Sequence, residues 1–139
     1  MRLVVDTNVL VSAFLWQGTP GRLIELAGEK EIQLYTSGAL IDELSEVLHR
    51  KKLSKQVRAT GLTPAQMVGN YRRLTELMTA RQLAQRVSRD VDDDTVLACA
   101  LAANADLIVS GDDDLLELKT YQGIPIVSVA EALKRLPQR

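Results

Sequence analysis

The sequence predicts an α/β fold in which helices cover a mostly parallel sheet. Short apolar runs rich in β-branched residues, typical of strands buried on both faces, occur at Leu3–Val5 and Leu107–Val109. Helical apolar patterns alternate with such runs along the chain. With 139 residues, of which 46% are hydrophobic and 25% charged, the chain is long and apolar enough for one core, so a single domain over residues 1–139 is expected.

The first 50 residues show this alternation, with a glycine-rich turn at residues 18–21. The predicted elements are a strand at Leu3–Val5, a helix through about Trp16, a helix at Arg22–Gly28, a strand at Ile32–Tyr35, and a helix capped by Ser37 that runs to about Leu48. No linker or repeat interrupts the pattern.

The second half begins with a clear helix start. Thr63 supplies a capping hydroxyl, Pro64 the first helical residue and Gln66 the third, and the apolar stripe of this helix extends to Met78. The remaining predicted elements are a short strand at Leu83–Val87, a helix after residues 90–94 that ends near Asn104, a strand at Leu107–Val109, a short helix around Leu115–Leu118, an edge strand at Ile124–Val127 and a last helix opened by Ser128 and Glu131.

Composition excludes several classes of protein. A single cysteine, Cys99, is unable to form an internal disulfide or a zinc cluster. The apolar stretch at residues 9–16 is shorter than the roughly 18 residues that a membrane span needs. The features of a signal peptide are also missing. We therefore expect a cytoplasmic protein without a membrane segment.

Charge is unevenly distributed, although the net charge is only −1. Between His49 and Arg89 the one acidic residue is Glu76. The ten basic residues of this segment are Arg50, Lys51, Lys52, Lys55, Arg58, Arg72, Arg73, Arg81, Arg86 and Arg89. Such a segment is either a solvated helical face or a surface that attracts phosphates, and charge alone leaves both possibilities open.

Acidic residues follow the predicted strands at their carboxyl ends. Asp6 follows the first strand and Asp112 the strand Leu107–Val109, while Glu43 lies on the helix after the second strand. Asp94 lies in the first turn of the helix after the triple aspartate. Ligands of open α/β sheets bind at this edge. Clustered carboxylates repel each other unless a cation neutralises them, and an all-oxygen site favours Mg²⁺ or Mn²⁺ over zinc.

Each of these acids also has a purely structural explanation. The run at residues 92–94 suits a helix N-terminus, and the run at residues 112–114 suits a turn and a cap. Glu43 could simply face solvent. Asp6 is explained less well by capping, because it directly follows a fully apolar strand. Trp16 and Tyr71 are interpreted as residues that pack in the core or at an interface, rather than as residues that stack on bases.

Three segments resemble the PIN-domain family, and in particular the VapC-like toxins of prokaryotic toxin–antitoxin systems. They are Val4–Leu10, Asp94–Ala100 and Asp106–Asp112, and the resemblance extends from residue 2 to about residue 127. It implies a three-layer α/β/α domain with a sheet of about five strands. Ser110 stands where the family commonly has Thr, and Val91 where it often has Pro.

The resemblance also implies site residues. Asp6, Glu43, Asp94 and Asp112 correspond to the family's acidic quartet, with Asp6, Asp94 and Asp112 as metal ligands. The implied supporting residues are Thr7, Asn8, Ser110 and Asp92, and Asp92 is also a candidate for an additional metal ligand. The implied activity is that of a ribonuclease in which water activated by Mg²⁺ or Mn²⁺ hydrolyses RNA.

The implied partners are RNA, a second copy of the chain and a cognate antitoxin. The basic residues expected to hold the RNA backbone are Arg50, Lys51, Lys52, Lys55, Arg72 and Arg73. An alternative is a catalytically silent PIN domain that acts as an RNA- or protein-binding scaffold. A phosphatase or a phospho-receiver is disfavoured, because Asn8 and Ser110 stand where those classes need Asp and Lys.

Overall fold

A computed structural model describes residues 1–16, 18–79 and 91–136, with the backbone alone at Val91 and Asp92. The strands of these residues are β1 Arg2–Val5, β2 Gln33–Ser37, β3 Thr75–Met78, β4 Leu107–Val109, β5 Thr120–Tyr121 and β6 Ile124–Val127. The α-helices are α1 Thr7–Leu15, α2 Gly18–Gly28, α3 Gly38–Leu48, α4 Ser54–Ala59, α5 Pro64–Leu74, α6 Val91–Ala103, α7 Asp113–Leu118 and α8 Val129–Arg135. A 3-10 turn, Lys51–Leu53, leads into α4.

The strands form one sheet in the order β3-β2-β1-β4-β6-β5. All neighbouring strands are parallel except β5, which pairs antiparallel with β6. In the centre of the sheet, Leu3 of β1 is aligned with Leu34 of β2 and Leu107 of β4. This confirms the predicted mostly parallel α/β sheet, with β5 as an additional two-residue strand.

Two apolar cores cover the two faces of the sheet. Side chains alternate along a strand, so Leu3 and Val5 face one core and Val4 faces the other. The first core includes residues of α1, α2, α3, α5 and α8. The second core includes residues of α6 and α7. The sheet therefore lies between two layers of helices, as predicted.

Several element boundaries differ from the prediction. The helix after Thr63 ends at Leu74, because the next four residues pair with β2 and form β3. Helix α2 starts at Gly18, so the predicted turn forms its first turn. The short helix α4 was missed. The predicted strand Leu83–Val87 lies outside the described residues.

Hydroxyl side chains cap three of the helices as predicted. Ser37 Oγ accepts from the Leu40 amide at the start of α3. Thr63 and Gln66 form both hydrogen bonds of a capping box. Ser128 Oγ accepts from the amide of Glu131. None of the helices in the described ranges is long and apolar enough to cross a bilayer.

Candidate active site

Asp6 joins β1 to α1 at the carboxyl edge of the sheet. Its amide donates to the Val109 carbonyl of β4 at 2.9 Å. Asp6 occupies the N-cap position of α1, but its side chain makes no capping hydrogen bond. The residue is only 5% exposed. Capping therefore does not explain this buried carboxylate.

Ser110 connects Asp6 to the end of β4. Its Oγ donates to Asp6 Oδ2 at 2.8 Å and accepts from the Asp112 amide at 2.9 Å. Ser110 is fully buried, so this hydroxyl lies on the buried side of the site. One side chain thus fixes the position of Asp6 relative to the backbone of Asp112.

Asp112 is the N-cap of α7. Its Oδ1 accepts from the amides of Asp114 and Leu115, at 2.9 and 3.2 Å. The structural explanation of this acid, as a helix cap, therefore holds. The carboxylate also belongs to a cluster in which one oxygen from each of Asp93, Asp112 and Asp114 lies within 4.8 Å of the others.

The cluster contains Asp93 and not Asp94, the residue that the family resemblance implies as a metal ligand. Asp93 is 4% exposed and Asp94 is half-buried. Asp93, Leu97 and Ala100 follow the i, i+4, i+7 spacing of one helical face, and the last two are fully buried. In the sequence this spacing was not decisive, because Asp94, Leu97 and Leu101 follow the equally helical i, i+3, i+7 spacing. The side chain of Asp92 lies outside the described part of the chain, and Asp114 was not predicted.

The other predicted site residues lie on α1 and α3. Glu43 is half-buried, its Oε2 is buried, and its helix α3 packs against α1 and α6. It therefore does not simply face solvent. Thr7 is buried, and its Oγ1 has no hydrogen-bond partner among the described residues. Asn8 is exposed.

These residues fit a hard divalent cation. The clustered side chains offer oxygen donors only, which Mg²⁺ and Mn²⁺ prefer. The buried hydroxyl of Thr7, directly after Asp6, is a further oxygen that lacks a partner among the described residues. Such a group costs free energy until a ligand satisfies it.

The predicted RNA-binding residues fall into two groups. Arg50, Lys51, Lys52 and Lys55 lie between α3 and α5, and Arg50 pairs with Glu46 at 3.2 Å. Arg72 and Arg73 lie in the last turn of α5, next to β3. Arg81, Arg86 and Arg89 lie outside the described residues.

Two packing interpretations have different outcomes. Tyr71 is fully buried in the core, as expected. Trp16 is 57% exposed, so it does not pack in the core, and packing at an interface stays a prediction for this residue.

The chain is similar to known proteins in sequence and in fold. The family model described as PIN domain matches residues 2–114. The chain is 30% identical over 129 residues to the uncharacterized protein MJ1680 of Methanocaldococcus jannaschii, an alignment that covers 86% of this chain and 76% of that protein.

Two solved structures share the fold at 16% identity, each with a TM-score of 0.61. One is VapBC2 from Rickettsia felis bound to a DNA fragment from its promoter, and the match covers 92% of this chain and 98% of that one. The other is PAE2754 from Pyrobaculum aerophilum, with 97% of this chain and 88% of that chain covered.

Proposed function

The chain belongs to the PIN domain family, whose members are generally nucleases, and from this membership and the acidic site we propose that it is a metal-dependent ribonuclease. The observation that carries the proposal is the buried Asp93 carboxylate within 4.8 Å of the carboxylates of Asp112 and Asp114. Carboxylates gathered in this way repel each other, and a divalent cation removes the repulsion.

Each acid has a role in the proposal. Asp6, Asp93 and Asp112 hold Mg²⁺ or Mn²⁺, and Glu43 and Asp114 orient water and the outer ligands. Asp93 takes the role that the sequence had assigned to Asp94. A divalent cation at this site supplies activated water and neutralises charge on the phosphoryl oxygens.

The polar side chains support these acids. Ser110 keeps the Asp6 carboxylate oriented through the 2.8 Å hydrogen bond. Thr7 offers its buried hydroxyl, and the exposed Asn8 offers an amide to the substrate. Asp92 and Asp94 are not ligands in this proposal.

The proposal is tested by cleavage of a mixed-sequence RNA with a quenched fluorophore, in EDTA and with Mg²⁺ or Mn²⁺. The wild type should cleave only with metal. Asp93→Asn should reduce the rate at least 100-fold, because one ligand loses its charge, whereas the neighbouring Asp94→Asn is the matched control and should retain most activity. Loss in the control but not in Asp93→Asn would refute the ligand assignment. Metal-independent RNA binding without cleavage by the wild type would identify the scaffold alternative instead.

We further propose that the ribonuclease is a cytoplasmic toxin, forms a homodimer and is inhibited by a cognate antitoxin. The fold likeness to VapBC2 supports this proposal, as does the exposed Trp16 at the end of α1, beside the half-buried Phe14 and Leu15. Expression of the wild type should arrest growth, Asp93→Asn should not, and the product of the adjacent gene should relieve the arrest. Light scattering should give twice the chain mass, and a monomer mass at micromolar concentration would refute the dimer.

A further inference from the structure

Exposed cationic side chains are concentrated on the helical segment between α3 and α5. Lys51, Lys52, Lys55 and Arg58 are all exposed, and we name these four residues the α4 basic face. The other side of the segment is apolar, since Val57 is buried in the first core and Leu53 packs against it. The segment is thus anchored by one side and presents only positive charge on the other.

Ion pairs among the described residues do not neutralise the positive charge of the α4 basic face. In the described ranges, none of the four side chains forms a salt bridge, whereas the neighbouring Arg50 pairs with Glu46. The sequence from Val47 to Thr75 contains no acidic residue. The charge of the α4 basic face is therefore available to an external anion.

The arrangement also works against the stability of the segment itself. Lys51 and Lys55 are four residues apart, a spacing at which like charges repel. A bound polyanion relieves this repulsion.

The surroundings of Arg72 and Arg73 explain these side chains differently. They lie in the last turn of α5, where positive charge is favourable, and Arg73 donates to Asn70. They also lie near the amino edge of the sheet, because Thr75, two residues after Arg73, is aligned with Leu34 near the start of β2. The favourable position at the end of α5 and the hydrogen bond from Arg73 to Asn70 explain these arginines without RNA.

We propose that the α4 basic face binds the phosphate backbone of RNA, and that Arg72 and Arg73 do not. The inference rests on the proposed function for its choice of polyanion. Residues 51 to 58 span about 10 Å at 1.5 Å per residue, enough to follow a backbone over consecutive phosphates. The contacts involve phosphates alone, so the surface provides affinity that depends on salt and not on sequence.

The test measures binding of a fluorescein-labelled, mixed-sequence 20-nucleotide RNA by anisotropy, in EDTA, from 50 to 200 mM KCl. Each lysine–phosphate contact contributes about 0.7 to the slope of log K against log salt for a single strand. The triple variant Lys51→Gln, Lys52→Gln, Lys55→Gln should therefore lower the slope by about 2. The wild type should lose about 20-fold more affinity than this variant over the same salt range.

Arg72→Gln with Arg73→Gln is the matched control and should keep the wild-type slope. An unchanged slope in the triple variant, or an equal fall in the control, would overturn the proposal. Circular dichroism checks that both variants are folded. Because the titration contains no metal, it measures binding whether or not the protein cleaves RNA, and subsequent addition of Mg²⁺ tests the nuclease separately.

Discussion

The Tyr71 hydroxyl is a buried polar group without a hydrogen-bond partner among the described residues. The ring is fully buried and packs edge-on against Phe14, with ring centroids 5.9 Å apart. Burial also raises the pKa of this hydroxyl above its ordinary value of 10.0. The native state thus bears the cost of removing the hydroxyl from water without a compensating hydrogen bond.

Tyr71→Phe should therefore stabilise the protein. A buried unsatisfied polar group costs about 1–3 kcal/mol, and loss of one oxygen atom from the core removes some packing contacts. The expected net gain in the free energy of unfolding is about 1 kcal/mol, or about 3 °C in Tm for a chain of this size. Urea denaturation followed by circular dichroism measures it.

The same substitution at Tyr35 is the matched control. The Tyr35 hydroxyl donates to Gln33 Oε1 at 2.9 Å, so Tyr35→Phe should cost about 0.5–1.5 kcal/mol. The two variants delete the same atom and should change stability in opposite directions. A Tyr71→Phe variant less stable than the wild type would show that this hydroxyl is satisfied, and would refute the reasoning.

Three further predictions concern stability. Ser110→Ala removes the hydroxyl that bonds both the Asp6 carboxylate and the Asp112 amide, and it should lower the free energy of unfolding by about 2 kcal/mol. Urea denaturation measures this loss, and a loss below about 0.5 kcal/mol would contradict the prediction. Burial raises the pKa of the Cys99 thiol from 9.0 to about 12, so above pH 9 the unfolded state loses a proton that the folded state keeps. Stability should fall by about 1.4 kcal/mol from this group between pH 8 and 10, and Cys99→Ala should remove that fall. Thr63→Ala should cost about 1 kcal/mol, seen as a lower urea midpoint, by deleting the cap of α5.

The central strands were predictable because their apolar runs are bounded by polar residues. Leu3–Val5 and Leu107–Val109 end at Asp6 and Ser110, and the structure confirms both strands. At β3 the pattern was ambiguous, because Leu74 and Met78 are four residues apart and fit a helical stripe. Pairing with β2 decides the outcome, and sheet pairing is a long-range interaction that local spacing does not contain.

The sequence was sufficient to predict that acidic residues lie at the carboxyl ends of the strands. It was not sufficient to predict which carboxylates lie within a few ångströms of each other. The position of Asp6 follows from the strand that precedes it. Which of the three aspartates faces the cluster depends on the rotation of α6 about its axis, because consecutive side chains of a helix point about 100° apart. Asp93 joins the cluster in the structure, whereas the apolar spacing in the sequence fits Asp93 and Asp94 alike. The predicted strand Leu83–Val87 stays a prediction.

The Ser110–Asp6 hydrogen bond joins residues 104 positions apart in the chain. On the ribosome the N-terminal part is made first, at about 5–20 residues per second. The hydroxyl that fixes Asp6 and the carboxylate of Asp112 therefore reach the site only when most of the 139 residues have been translated. A nascent chain therefore has no complete acidic site until synthesis is nearly finished.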